Sequence, residues 1–328
     1  MVIWPRPCVW HLRSGKLDAP FHHELADGPK SVRAFRRTCS DGVQVRLACW
    51  SADAPKGTVL LFPGRSEYVE KYGRVASVLT AAGFAVIAID WRGQGLSDRL
   101  TDDPQLGHVG QFSDYQRDVA ELVAQTTELE LPRPWFLIAH SMGGCIGYRA
   151  LAEGLNIART VFSAPMWGIQ MSPLQRPLAH VVPALARAVS LGQQYAPGTT
   201  KKNYTATSSF RDNALTSDPD TYEWLRQHAL SVEAFALGGP SIHWVGEAVE
   251  ETASLVHLAR PNCPVRTYLG TDECIVSADA VRKLHTAWPS AELVMVEGAL
   301  HELMMERPAI RNRFMDETIK FFSDHTAE

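Results

Sequence analysis

A serine, a late histidine and two adjacent carboxylates lie along this 328-residue chain in an order that suits nucleophilic catalysis. Ser141 sits in Ala139-His140-Ser141-Met142-Gly143-Gly144, where an apolar run gives way to a stretch rich in small residues. A serine hydroxyl is a weak nucleophile near neutral pH. It needs a base to take its proton, a group to orient that base, and donors for the oxyanion. Small neighbours allow the sharp strand-to-helix turn that exposes a nucleophile, and Ala139, where glycine is usual, only crowds that turn. A serine before a helix is more often a plain N-cap, so the string acquires meaning from its surroundings. His301 follows the apolar run ending at Val296 and lies near the C-terminus, which suits the base. The loop Gly270-Thr271-Asp272-Glu273-Cys274-Ile275-Val276 offers two neighbouring carboxylates as the orienting acid, of which one faces the histidine and the other faces elsewhere. The expected oxyanion donors are the backbone N–H of Met142, at a helix start, and that of Arg65, just past the turn at Gly64. The Arg65 side chain is left over, either as a surface charge or as a contact for a phosphate or carboxylate on a substrate.

These residues need a scaffold that brings strand ends together. Val32 to Cys39 and Val43 to Trp50 read as a hairpin around Ser40-Asp41-Gly42. From Gly57 onward, near-continuous apolar strands (Thr58–Phe62, Phe84–Ile89, Pro134–Ala139, Thr160–Ser163, Val265–Leu269, Leu293–Val296) alternate with helical patterns. That alternation predicts an α/β fold with a mostly parallel central sheet, helices on both faces and an antiparallel N-terminal hairpin. The rhythm breaks over 165–260, where helical patterns replace strands. The expected organisation is therefore a core of 1–164 and 261–328 with a helical lid, 165–260, beside the catalytic strand ends. Within the lid, Leu178, Val181, Val182, Leu185 and Val189 fall at helical offsets, as do Tyr222, Trp224, Leu225, Leu230 and Phe235, and ordinary packing between helices accounts for them. Met166, Trp167, Leu174, Leu178 and Trp244 make the lid apolar enough for an acyl chain.

Composition narrows the function classes. A net charge of −4 attracts neither nucleic acid nor an anionic membrane in general, so lipid contact has to be local, through the lid. No run approaches the length of a membrane span, and the first residues do not read as a secretory signal, so a cytoplasmic location is expected. The six cysteines (Cys8, Cys39, Cys49, Cys145, Cys263, Cys274) show no zinc or redox spacing and read as free thiols, and no cofactor or metal is called for.

Phe62-Pro63-Gly64-Arg65, Asp90-Trp91-Arg92-Gly93-Gln94-Gly95-Leu96-Ser97, His140-Ser141-Met142-Gly143-Gly144 and His301-Glu302-Leu303-Met304-Met305-Glu306 resemble the lysophospholipase and monoacylglycerol lipase branch of the α/β-hydrolases, which is related to serine aminopeptidases. In the lid, Phe210 to Asp218 and Leu237 to Trp244 resemble the bacterial lysophospholipase group. The resemblance implies Ser141 as nucleophile, His301 as base and the Arg65 and Met142 backbones as oxyanion hole. It places Glu273 in the slot where the family usually carries aspartate, with Asp272 the alternative acid. It also implies a small ester or lysolipid substrate. Asp90 and Arg92 read as organisers of a turn. A proline-type aminopeptidase would need lid carboxylates for the substrate amine, but Glu247, Glu250 and Glu251 read as a solvated helix face. A non-catalytic binding protein on this fold is the remaining alternative.

Overall fold

A computed structural model describes residues 18–172, 175–288 and 290–327. Leu174 and Cys8 lie outside them. An eight-stranded sheet runs in the order β1-β2-β4-β3-β5-β6-β7-β8, with β1 Val32–Thr38, β2 Gln44–Trp50, β3 Thr58–Phe62, β4 Ala85–Asp90, β5 Trp135–His140, β6 Arg159–Ser163, β7 Val265–Gly270 and β8 Ala291–Val296. Only the β1–β2 and β2–β4 pairings are antiparallel. The remaining strands run parallel, so the loops leaving β3, β5, β7 and β8 all emerge at one end of the sheet.

Side-chain alternation explains why these strands read as unbroken apolar runs. Along β3, Val59 and Leu61 join the core on one face while Leu60 and Phe62 join the core on the other. Helices cover both faces: α1 Gly73–Ala81, α2 Tyr115–Glu128, α3 Met142–Ala152, and, after β7, α7 Ala278–Thr286 and α8 Pro308–Ser323. The edge strand β8 begins at Ala291, earlier than its hydrophobic run suggests. Its exposed Glu292 and half-open Leu293 carry the weaker pattern of a strand with one unpaired side.

Between β6 and β7 the chain forms α4 Gln175–Ala188, α5 Pro219–Ser231 and α6 Ile242–Ser254, with a long connection from α4 to α5 that carries short helical turns at Tyr204–Thr207 and Phe210–Asp212. The expected internal packing of α4 is not observed along its whole apolar stripe. Leu178, Val181, Leu185 and Val189 point outward and are more than half exposed. The helix instead packs its Pro183 against α6, where a methyl group on Gly246 would overlap the proline ring. Among the described residues, no helix is long and apolar enough to cross a membrane.

Candidate active site

The turn from β5 into α3 holds Ser141 at φ 51°, ψ −118°, a left-handed conformation that non-glycine residues seldom adopt. Close approach of the surrounding backbone sustains it. A Cβ on Gly143 would run into the carbonyls of Phe62 and Pro63, and one on Gly144 would come within 2.6 Å of Pro165 Cβ. Glycine at 143 lets α3 sit on the loop after β3, bringing that loop to the serine, and glycine at 144 lets α3 sit against Pro165 in the loop after β6. The backbone N–H groups of Arg65 and Met142 take no acceptor among the described residues.

His301 arrives from the loop after β8, its Nε2 2.9 Å from Ser141 Oγ and its Nδ1 2.7 Å from Glu273 Oε2. The other Glu273 oxygen accepts from Ile275 N at 2.6 Å and Val276 N at 3.0 Å, so the turn itself aims the carboxylate. Asp272, one residue earlier, is exposed and its side chain meets Thr271 Oγ1 at 3.3 Å. Burial by itself would raise the Glu273 carboxyl and lower the His301 imidazole. Their mutual attraction and hydrogen bond outweigh it, leaving Glu273 below and His301 above their ordinary values.

Beneath this series lies a buried ionic group that sequence reasoning missed. Lys71 Nζ lies 2.6 Å from Glu67 Oε1 and 2.7 Å from Glu302 Oε2. Glu67 also accepts from Tyr72 and from the N–H of Gly64, tying the turn before Arg65 to the core. Burial opposes ionisation of Glu67, but Lys71, His140 and these donors bring it down to about 2. His140, whose Nδ1 is 3.0 Å from the Ser163 carbonyl, is pushed down to about 3 by burial and stays neutral. Glu67, His140 and Glu302 converge closely enough to hold a cation. The Lys71 ammonium already meets both carboxylates there, so the donor set fits an ion network better than a metal. The signal in the sequence was only Glu302 beside His301 and Glu67 three residues past Gly64.

Two further segments brace the site. Gln94 Nε2 donates to Gly64 O at 2.9 Å and Trp91 Nε1 to Pro63 O at 2.8 Å, which accounts for the run Asp90 to Ser97. Asp90 organises that turn through Val69 N and Leu96 N while pairing with the buried Arg46. Arg92 pairs with Asp118 and Asp41, so the two residues serve separate contacts. Glu302 N donates to Leu215 O at 2.8 Å and Thr216 Oγ1 to Met305 O at 2.8 Å, stitching residues 214–217, from the segment between β6 and β7, to the His301 loop.

A cavity of about 570 Å³ opens over Ser141 and His301. Met166 and Trp244 line it, as do Leu225 and Phe235 from the stretch between β6 and β7. Trp167 does not; its ring packs on Phe162 and Tyr148 in the core and its Nε1 donates to Gly144 O. Of the three carboxylates on α6, Glu250 is solvent-exposed, but Glu251 is buried in an ion pair with Arg149 and Glu247 caps Phe112 N, so the solvated-face expectation fails for the last two.

The family model described as serine aminopeptidase, S33, matches residues 53–308. Lysophospholipase L2 of Escherichia coli is 29% identical, over 97% of this chain and 95% of its own. A probable lysophospholipase L2 of Haemophilus influenzae is 27% identical, over 82% and 85%. Among solved structures, a soluble variant of monoglyceride lipase from Saccharomyces cerevisiae in complex with a substrate analog superposes with a TM-score of 0.69 at 19% identity, covering 98% of this chain and 100% of that one.

Proposed function

The chain belongs to the serine aminopeptidase S33 family of α/β-hydrolases, and on that premise we propose that Ser141, His301 and Glu273 form the catalytic series of its ester-hydrolysing activity. One observation carries the reading: nucleophile, base and acid stand in hydrogen-bonded sequence at 2.9 and 2.7 Å, with Ser141 and His301 lining a partly apolar cavity. His301 Nε2 takes the Ser141 proton as Oγ attacks the ester carbonyl. The Arg65 and Met142 N–H groups receive the oxyanion, and the imidazolium returns its proton to the departing alcohol. A water deprotonated by His301 then attacks the acyl-enzyme, releasing the carboxylic acid and restoring Ser141.

The substrate class we assign is a single-chain acyl ester, a lysophospholipid or monoacylglycerol, as the names of the relatives suggest. Residues 165–260 act as its lid. The outward stripe Leu178, Val181 and Leu185 on α4, continued by Val189 just past its end, suits contact with a lipid surface. A cytoplasmic location suits the free thiols of Cys39, Cys49 and Cys145. The aminopeptidase reading is less well supported. Glu247, Glu250 and Glu251 are engaged by Phe112 N, Arg187 and Arg149, and none lines the cavity.

Fluorophosphonate labelling tests the chemistry. Wild type is expected to label and Ser141→Ala to stay blank; an unlabelled wild type refutes the catalytic assignment. Preference for prolyl amides over acyl esters in a substrate panel would transfer the activity to the aminopeptidase class.

A further inference from the structure

Several arginines withdrawn from solvent in this molecule are matched by carboxylates: Arg46 by Glu70 and Asp90, Arg92 by Asp118 and Asp41, Arg149 by Glu251. Arg65 is not. Among the described residues it has no carboxylate at ion-pair distance. Its Nη2 donates to Gly238 O at 2.8 Å, its Nη1 to Ser66 Oγ at 3.2 Å, and its buried Nε finds no acceptor. The guanidinium carbon lies 5.2 Å from the centre of the Trp244 ring, which holds the group in place from one side. A side chain at Gly107 would overlap it, so that glycine leaves the space the guanidinium occupies. Arg99 also lacks a carboxylate, but three backbone carbonyls take up its N–H groups.

A cation partly withdrawn from water without a counter-ion, as Arg65 is, gains from a ligand that supplies the anion. Burial brings Arg65 down to about 10, so it remains charged at neutral pH. It lines the cavity over Ser141 together with Thr199, Thr200 and Lys202. The acidic lining residues Glu67 and Glu302 are both held by Lys71, which leaves nothing acidic free to neutralise Arg65 from the wall.

We propose that the Arg65 guanidinium binds the phosphate of a lysophospholipid substrate, making this residue the determinant that favours phosphate-bearing esters over neutral monoacylglycerols. The proposal rests on the ester-hydrolase reading above. One residue would then serve both ends of the glycerol bridge. The Arg65 N–H meets the carbonyl oxygen that becomes the oxyanion, about seven covalent bonds from the phosphorus of an acylated glycerol phosphate, and the guanidinium carbon lies about six bonds from that N–H along the same residue, so a flexible glycerol can reach both. The planar fork of a guanidinium also matches two phosphate oxygens.

The test compares kcat/KM for a lysophosphatidylcholine and a monoacylglycerol of the same acyl chain, in wild type, Arg65→Lys and Arg65→Met. The ratio of the two is expected to fall about tenfold to hundredfold in Arg65→Met and less in Arg65→Lys, the scale of a lost charge-assisted contact. Fluorophosphonate labelling checks that each variant keeps a reactive site. In wild type alone, sn-glycerol 3-phosphate is expected to inhibit aryl-ester hydrolysis at lower concentration than glycerol does. An unchanged ratio in labelled variants, or equal inhibition by the two compounds, overturns the phosphate assignment and leaves the ester reading standing. Stronger inhibition by glycerate than by glycerol 3-phosphate overturns it in favour of a carboxylate ligand. A wild type that does not label removes both readings together.

Discussion

Replacing Glu273 by glutamine changes one oxygen to an NH2 group and nothing in shape, yet the surroundings determine which way the amide turns. Oε1 accepts two backbone N–H groups, from Ile275 at 2.6 Å and Val276 at 3.0 Å, while Oε2 meets His301 Nδ1 at 2.7 Å. Turning the amide nitrogen toward those two N–H groups would leave both without an acceptor, at about 1–3 kcal/mol each. The amide oxygen therefore stays with them and the NH2 faces His301. Nδ1 must then accept, the imidazole proton moves to Nε2, and Nε2 can no longer take the Ser141 proton across its 2.9 Å contact. An inverted tautomer of this kind costs about 10⁴-fold in kcat in a serine protease, close to 5.4 kcal/mol of barrier. The expected loss for Glu273→Gln is of that order, read as kcat on a p-nitrophenyl ester and as the rate of fluorophosphonate labelling. Asp272→Asn, at an exposed carboxylate, is expected to stay within about threefold of wild type. Retention of more than about a tenth of the activity in Glu273→Gln, or an equal loss in Asp272→Asn, would refute the assignment of the acid.

The pH dependence should carry the same signature. His301 acts as a base only when neutral, and its partnership with Glu273 places it above the ordinary imidazole value of 6.5, so kcat/KM should rise with pH through a limb centred above that value. Glu273→Gln should move the residual limb to lower pH; a limb at or below 6.5 in wild type would contradict the ion pair. For stability, Arg46→Met strands the buried Glu70 and Asp90 and should cost about 3–5 kcal/mol in denaturant unfolding, whereas a change under 1 kcal/mol would show that the pair is not desolvated as its burial implies.

The hydrolase architecture was legible because its signals are local and redundant. Buried parallel strands are apolar on both faces, so β3, β4 and β5 stood out by composition alone, and the small residues after Ser141 mark a turn that only a close backbone approach requires. Chain order placed His301. Where the local signal is ambiguous, the sequence could only narrow the choice. Asp272 and Glu273 are neighbours of the same chemistry, and it is the turn at 275–276, with its two N–H donors on Oε1, that points Glu273 at the imidazole. Helical spacing on α4 likewise reports an apolar stripe without saying what covers it; the packing of Pro183 on Gly246 turns that stripe outward. The Lys71 group under the histidine was beyond the sequence, and Arg65 could be read only as a surface charge or a substrate contact, for a simpler reason. A charge is read as solvated until its surroundings are known, and those surroundings come from segments far apart in the chain, 67–71 with 302 and 65 with 238 and 244. Residue type and order therefore determined the fold and the candidate nucleophile and base. Tertiary contact decided which acid meets the base and which cations are neutralised.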